Sequence, residues 1–209
     1  MKTLVDYARA QRYLGRRDPV LKQVMSKVGP CSLRINRDHF VVLTKSIVSQ
    51  QLSTKAAATI HSRLVLALAG EALTPTSLLQ LSEEALVSAG LSRAKRVALR
   101  DLATKIHTKE VILHDIQSLS DDKLIERLVQ VKGIGRWTAE MFLIFSLGRL
   151  DVLPVADLGL RAAVHRQYGL DELPDKNQLE ELGDRWRPYR SIATWYLWRS
   201  QGFLPEPTK

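Results

Sequence analysis

Cys31 is the only cysteine in the 209-residue chain. A lone thiol cannot close an intramolecular disulfide, nor can it supply the four thiolates of an all-cysteine iron–sulfur site. The five histidines (His39, His61, His107, His114, His165) show no HxxxH spacing and there is no CxxC pair, so a catalytic zinc is not expected. No apolar run approaches the roughly eighteen residues that a membrane span requires. The first residues lack the apolar core and cleavage site of a secretory signal. Convincing runs of alternating apolar and β-branched residues are missing, as are repeats, low-complexity segments and any linker long enough to mark a domain boundary. Together these absences predict an all-α protein of the cytosol or nucleoid, with no membrane partner.

Positive charge and helical periodicity are what the chain does have. Its 31 Lys and Arg against 22 Asp and Glu give a net charge of +9. That excess favours a polyanionic partner, although charge alone does not separate nucleic acid from an acidic membrane surface. The length suits one sizeable core or two small lobes wrapped around each other.

Apolar spacing and capping residues predict a helix over Thr3 to Leu14, then a second with Asp18 as cap and Pro19 as its first position, stopped by Gly29-Pro30. Cys31 to Arg37 reads as a connector with room for a short extended piece. Further helices are expected behind Asp38 (His39 to Ser49), Ser53 (to about Ala69), Ser82, Ser92 and Ser120. Thr74-Pro75-Thr76 reads as a break. Late in the chain, helices are expected from Asp157 to about Tyr168, from about Gln178 to Arg185 and over Ser191 to Ser200, with Leu204 to Lys209 a frayed tail.

Leu124 to Ala163 is the most informative stretch. A helix with the apolar stripe Leu124, Leu128, Val131 runs into the turn Lys132-Gly133-Ile134-Gly135, and a second helix follows over Arg136 to Leu147. Gly133 can take the positive φ that ends a helix, while Gly135 keeps side chains off the backbone where the next helix begins. Unpaired N–H groups at such a place suit an anion. On the plainer reading Gly133 is only a C-cap and Gly135 only a spacer. Asp157 stands twenty positions beyond Trp137, at the start of another helix, where an aspartate is also an ordinary N-cap.

The run Leu128-Val-Gln-Val-Lys-Gly-Ile-Gly-Arg-Trp-Thr-Ala139, followed by Leu153-Pro154-Val155-Ala156-Asp157, resembles the helix-hairpin-helix DNA glycosylase (HhH-GPD) superfamily, with its Gly/Pro-rich loop and aspartate. The resemblance spans about Phe40 to Phe203 and is strongest to the 3-methyladenine DNA glycosylase II type. It implies two helical subdomains: a discontinuous one of about 1–37 plus 149–209, and a central one of about 38–148 with the hairpin at 121–147. The mixed α/β domain that precedes these in the best-known member appears in no part of this sequence. One branch of the superfamily carries a four-cysteine cluster; this chain is not built that way.

The resemblance also implies roles. Asp157 becomes the catalytic carboxylate that stabilises an oxocarbenium-like transition state and orients or deprotonates water. Trp137, Met141 and Trp198 line a base pocket, Met141 standing where the best-known member has a tyrosine. Trp195 and Tyr189 are neighbours of either orientation, and ordinary core is the alternative for Trp186, Trp195 and Trp198 alike. Lys132, Gly133, Gly135 and Arg136 grip the DNA backbone, and Gln51, with Leu52 next, is the intercalating wedge. Ser49-Gln50-Gln51-Leu52 interrupts the helix there, and the alternative for Gln50 and Gln51 is that they satisfy helix ends in a polar break. Backbone carbonyls of Val129, Val131 and Ile134 hold a Na+ or K+ ion; no other cofactor is required. The cations Arg93, Lys95, Arg96, Arg100 and Lys105 form a solvated face or touch DNA.

Trp137 occupies the position at which lyase-type members carry a lysine nucleophile, so a monofunctional hydrolase is implied. Its partner is double-stranded DNA containing alkylated purines, such as 3-methyladenine or 7-methylguanine. The protein is expected to be a monomer that flips the base and leaves an abasic site. The competing readings are a non-catalytic helix-hairpin-helix DNA-binding module and a glycosylase for another damaged purine.

Overall fold

The computed structural model describes residues 6–114 and 116–202, so the expected frayed tail and the first residues of the expected opening helix lie outside the described residues. Among the described residues there are helices and no strands, as expected of an all-α chain, and no helix is long and apolar enough to cross a membrane.

Contacts divide the chain into two compact units, one of Met1–Ile35 with Gly148–Lys209 and the other Asn36–Leu147. The first unit opens with α1 (Tyr7–Arg17) and α2 (Pro19–Val28). The second holds α3 (His39–Ser49), α4 (Thr54–Ala67), α5 (Pro75–Gln80), α6 (Glu83–Ser88), α7 (Arg93–His107), α8 (Asp121–Leu128) and α9 (Arg136–Phe142), the last continuing as a π-helical turn over Leu143–Leu147. The chain then returns to the first unit with α10 (Leu158–Tyr168), α11 (Lys176–Asp184) and α12 (Arg190–Ser200).

The helix starts follow side-chain chemistry. Asp18, Asp38, Ser53, Ser82, Ser92, Ser120 and Asp157 each accept a backbone N–H from the first turn of the helix they precede. Two readings need correction. Thr74-Pro75-Thr76 does not break the chain but starts α5, because Thr74 and Ser77 form a reciprocal capping box and Pro75 sits in the first turn, where no N–H is needed. Asp175 and Gln178 do the same for α11, which therefore begins two residues before the expected Gln178. The expected extended piece in Cys31 to Arg37 is not a strand; Tyr7 instead reaches back to the connector and donates its hydroxyl to the Leu33 carbonyl at 2.9 Å.

In the first unit, α2, α10 and α1 pack on α12, whose residues from Ser191 to Trp198 are all buried. Asp18 lies at the centre of this packing, fully buried. It caps α2 through Leu21 N–H (3.0 Å) and accepts the Tyr168 hydroxyl at 2.6 Å and the Trp186 indole N–H at 2.9 Å. Burial, with the Asp18 carboxylate beside it, pushes the Tyr168 phenol far above its usual range, so it remains a donor. In the second unit, α3 is the central helix against which α4, α7 and α9 pack.

Removing the Asp18 carboxylate would leave a buried phenol and a buried indole N–H without their acceptor and α2 without its cap. Asp18→Ala is expected to cost about 3 kcal/mol of unfolding free energy in denaturant titrations. A loss below about 1 kcal/mol would mean that this cluster does not hold the unit together.

Candidate functional site

The Lys132–Gly135 turn is anchored from below and bare on top. Leu124, Leu128, Val131 and Ile134 are buried, while Lys132, Gly133, Gly135 and Arg136 are exposed. Gly133 has φ +78°, and a Cβ there would lie 2.9 Å from Ala98 Cβ on α7. Gly135 has φ −90°, and a Cβ there would meet nothing within 4 Å. The two glycines therefore have different causes. The fold requires Gly133, whereas nothing inside the chain requires Gly135. The α9 N-terminus that begins at Gly135 also has no side-chain cap.

α7 fixes the turn. Asp101 accepts the Lys132 backbone N–H at 2.8 Å and the Lys105 ammonium at 2.8 Å, and Lys105 also donates to the Gln130 carbonyl at 2.7 Å. Burial pushes the Asp101 carboxyl up, but the donors and positive charge of Lys105 and Lys132 outweigh it and hold the group below its ordinary value. Most of the other cations of this helix also turn inward: Lys95 to the Val48 carbonyl at 2.6 Å, Arg96 to Glu83 and the Leu91 carbonyl, Arg100 to the carbonyls of Leu78, Leu79 and Leu81. The expectation of a solvated or DNA-facing row is thus corrected for these residues, which cap and tie neighbouring helices.

The turn after α3 is joined to the same place. Gln51 has φ +56°, a conformation rare for a residue with a side chain, and Leu52 beside it is exposed. Gln50, expected only as part of a polar break that satisfies helix ends, donates its side-chain amide to the Gly133 carbonyl at 2.7 Å and to the Thr138 hydroxyl at 3.4 Å. Since the Ile134 N–H bonds to the Val131 carbonyl at 3.0 Å, the Gly133–Ile134 peptide is held at both ends. The sequence trace of this role is the polar Gln50-Gln51 pair at the end of α3.

On α9, Trp137 is 42% exposed, an unusual position for an indole, while Met141 one turn later is buried. Arg136 pairs with the buried Glu140 at 3.0 Å and remains two-thirds exposed. The π-helical turn is tied down by Ser146, whose hydroxyl meets the Asn36 carbonyl at 2.9 Å and His39 Nδ1 at 2.8 Å.

In the first unit, Asp157 both caps and receives. Its Oδ1 accepts the Leu160 N–H at 2.5 Å and the Trp198 indole N–H at 2.9 Å. The carboxylate is half-buried, Trp198 buried, and the Asp157 N–H bonds to the Pro154 carbonyl at 2.9 Å, closing the Leu153–Asp157 loop. Trp186, Trp195 and Trp198 are all buried, in line with the core alternative for these three. The structure thus joins Asp157 with Trp198 in one unit, and Lys132, Gly133, Gly135 and Arg136 with the Gln50–Leu52 turn and Trp137 in the other.

Residues 44–188 match the model of the HhH-GPD superfamily, base excision DNA repair proteins. The chain is 33% identical over 199 residues to the alkylbase DNA glycosidase-like protein mag2 of Schizosaccharomyces pombe, covering 93% of each. Among solved structures it is similar to the DNA-3-methyladenine glycosidase of Bacillus halodurans, with a TM-score of 0.82 and 37% identity over 92% of this chain and 89% of that one. It is also similar to the S. pombe 3-methyladenine DNA glycosylase Mag1 in complex with abasic DNA, with a TM-score of 0.80 and 34% identity over 96% of this chain and all of that one.

Two outcomes follow from the hairpin's construction. Gly133→Ala is expected to lose about 2 kcal/mol, and Gly135→Ala to hold or slightly gain stability, because only the first has a positive φ and a blocked Cβ; equal losses in thermal unfolding would contradict this. Asp101 has a lowered folded-state pKa, so its contribution is complete above about pH 4 and is lost as pH falls through the folded-state value. The stability gap between wild type and Asp101→Asn should therefore close on acidification, and a gap that widens there would exclude the proposed anchoring.

Proposed function

Because the chain belongs to the HhH-GPD superfamily of base excision DNA repair proteins, we propose that it is a monofunctional DNA glycosylase of the 3-methyladenine DNA glycosylase II type. It flips alkylated purines such as 3-methyladenine and 7-methylguanine out of duplex DNA, hydrolyses their N-glycosidic bond and leaves an abasic site. The observation that carries this reading is the Asp157 carboxylate, oriented by two N–H donors on Oδ1 and set against the Trp198 indole.

Breaking the bond to an N3- or N7-alkylated purine builds positive charge on the sugar. A fixed carboxylate stabilises that charge and can orient or deprotonate the attacking water. The base already carries a positive charge and leaves neutral, so one acidic residue suffices and no proton donor to the base is needed. The electron-deficient base stacks on indole faces, for which Trp137 and Trp198 are the aromatic candidates and Met141 the apolar neighbour. Trp137 has no amine with which to attack the sugar, so the enzyme has no attached lyase step.

DNA is held through its backbone. The Gly133 and Gly135 peptides approach phosphate closely, with Lys132 and Arg136 adding salt-sensitive contacts. The left-handed Gln51 and exposed Leu52 provide the wedge that fills the gap left by the flipped nucleotide. The Val129, Val131 and Ile134 carbonyls are the donors for a Na+ or K+ ion, whose charge would help bridge the turn to phosphate. The Val131 carbonyl accepts the Ile134 N–H and keeps a second lone pair, which is compatible with that role. The enzyme works as a monomer.

Methylated duplex DNA incubated with the protein, without added divalent metal, should release free 3-methyladenine or 7-methylguanine. Asp157→Asn retains a capping oxygen and should stay folded and bind lesion DNA, yet lose at least about two decades in single-turnover excision rate. Borohydride should not trap the protein on DNA. Near-normal excision by the variant would refute Asp157 as the catalytic residue, efficient trapping would refute the monofunctional assignment, and DNA binding without base release by the wild type would leave a non-catalytic helix-hairpin-helix module.

A further inference from the structure

Exposed positive charge on α1 and α2, continued by cations of α10 and α12, defines a surface that the catalytic reading does not use. Between Asp6 and Ile35 there are seven Lys and Arg and only two acids, one of which, Asp18, is buried on Tyr168 and Trp186. Arg12 and Arg16 on α1 and Lys22 on α2 line one open cavity of about 400 Å³; Lys27 on α2, Arg166 on α10 and Arg199 on α12 line another of about 520 Å³. Among the described residues, no carboxylate lines either cavity. Among the described residues, Arg12, Arg16, Lys22 and Lys27 are exposed and form no ion pair. The same unit pairs its cations elsewhere: Arg190 and Arg187 lie on Asp151 at 2.9 and 3.1 Å, and Arg187 on Asp184 at 3.0 Å.

Helix dipoles explain part of this arrangement. Lys27, Arg166 and Arg199 stand in the last turns of α2, α10 and α12, where a cation is favourable. Arg12, in the middle of α1, and Lys22, near the start of α2, have no such cause. Uncompensated like charges repel one another and gain most when an external polyanion neutralises them.

We infer that this α1–α2 face, with the last turns of α10 and α12, is a second DNA-binding surface that takes the phosphate backbone of duplex outside the lesion site. The inference rests on the proposed action on DNA. The occupant follows from what accompanies the charge. Among the described residues, none of the exposed large apolar side chains comes from α1 or α2, so these two helices offer no apolar anchor to a lipid surface. Of the two aromatic residues on α1 and α2, Tyr13 packs on Tyr189 and Arg17 and Tyr7 is tied by its hydroxyl to the Leu33 carbonyl, an arrangement that does not favour stacking of unpaired bases. Charge without insertion or stacking suits a duplex backbone read independently of sequence. The surface is also separate from the carboxylate. Arg166 lies nine residues along from Asp157, about 14 Å at the α-helical rise.

The test compares wild type with the triple variant Arg12→Gln/Arg16→Gln/Lys22→Gln and the double variant Lys22→Gln/Lys27→Gln on an undamaged 40-base-pair duplex and a short lesion duplex. Loss of phosphate contacts should weaken binding to the long duplex about tenfold at moderate salt and flatten the log–log salt dependence by about one per contact removed. Unfolding midpoints should not move, and the single-turnover excision rate at saturating enzyme on the short duplex should not change. Unchanged affinity and salt slope for both variants would overturn the inference. So would a loss of binding confined to anionic phospholipid vesicles or to single-stranded nucleic acid. If wild type releases no base but the salt slope still falls in the variants, the catalytic reading fails and the second surface stands.

Discussion

One carboxylate oxygen receives two N–H donors at Asp157, and the chemistry proposed for the protein depends on that convergence. The Leu160 N–H ties the side chain to the start of α10, and the Trp198 indole ties it to α12. Each bond alone would be ordinary: the first is an N-cap, the second a buried indole finding an acceptor. Together they fix the carboxylate between two packed helices, so its charge is in place before any sugar cation forms. That is the condition under which an electrostatic stabiliser is effective, because no reorganisation is needed during the reaction. Capping and catalysis are therefore compatible uses of one side chain.

The second unit applies the same economy to its backbone. α7 supplies Asp101 and Lys105 to hold the turn from below, and Ala98 fills the space a Gly133 side chain would need. Gln50 then ties the left-handed turn after α3 to the Gly133 carbonyl. A residue proposed to enter the duplex and a loop proposed to hold its phosphate are thus one hydrogen-bonded body. Grip on the backbone and insertion into the groove keep a fixed spacing, and the strain of Gln51 is sustained by the bonds around it.

Much of this was legible in the sequence because it is local. The caps at Asp18, Asp38, Ser53, Ser82, Ser92, Ser120 and Asp157 each act on an N–H three residues away, and the apolar stripe of α8 repeats within one helix. What was not legible depends on distant partners. Asp18 meets Trp186 across 168 residues, and Gln50 meets Gly133 across 83. No periodicity marks such a bond. Thr74-Pro75-Thr76 was misread for a different reason: a proline in the first turn and a proline that ends a helix look alike until the Ser77 hydroxyl is seen to close the capping box. The cations of α7 resembled a solvated row because the carbonyls they cap belong to other helices.

Features that the fold accounts for separate from features that it does not. Gly133 has an internal cause in its φ and in Ala98, whereas Gly135 has an unremarkable φ and open space. Trp186 is buried on an aspartate, whereas Trp137 keeps 42% of its surface in solvent. Arg190 is paired with Asp151, whereas Arg12 and Lys22 face a cavity with no carboxylate among the described residues of its lining. In each contrast the first residue would be retained for stability alone. An exposed indole and like charges left unpaired at the surface gain little for a chain that only has to fold. Their placement makes physical sense when the missing partner is a polyanion that must be approached closely, stacked against and neutralised.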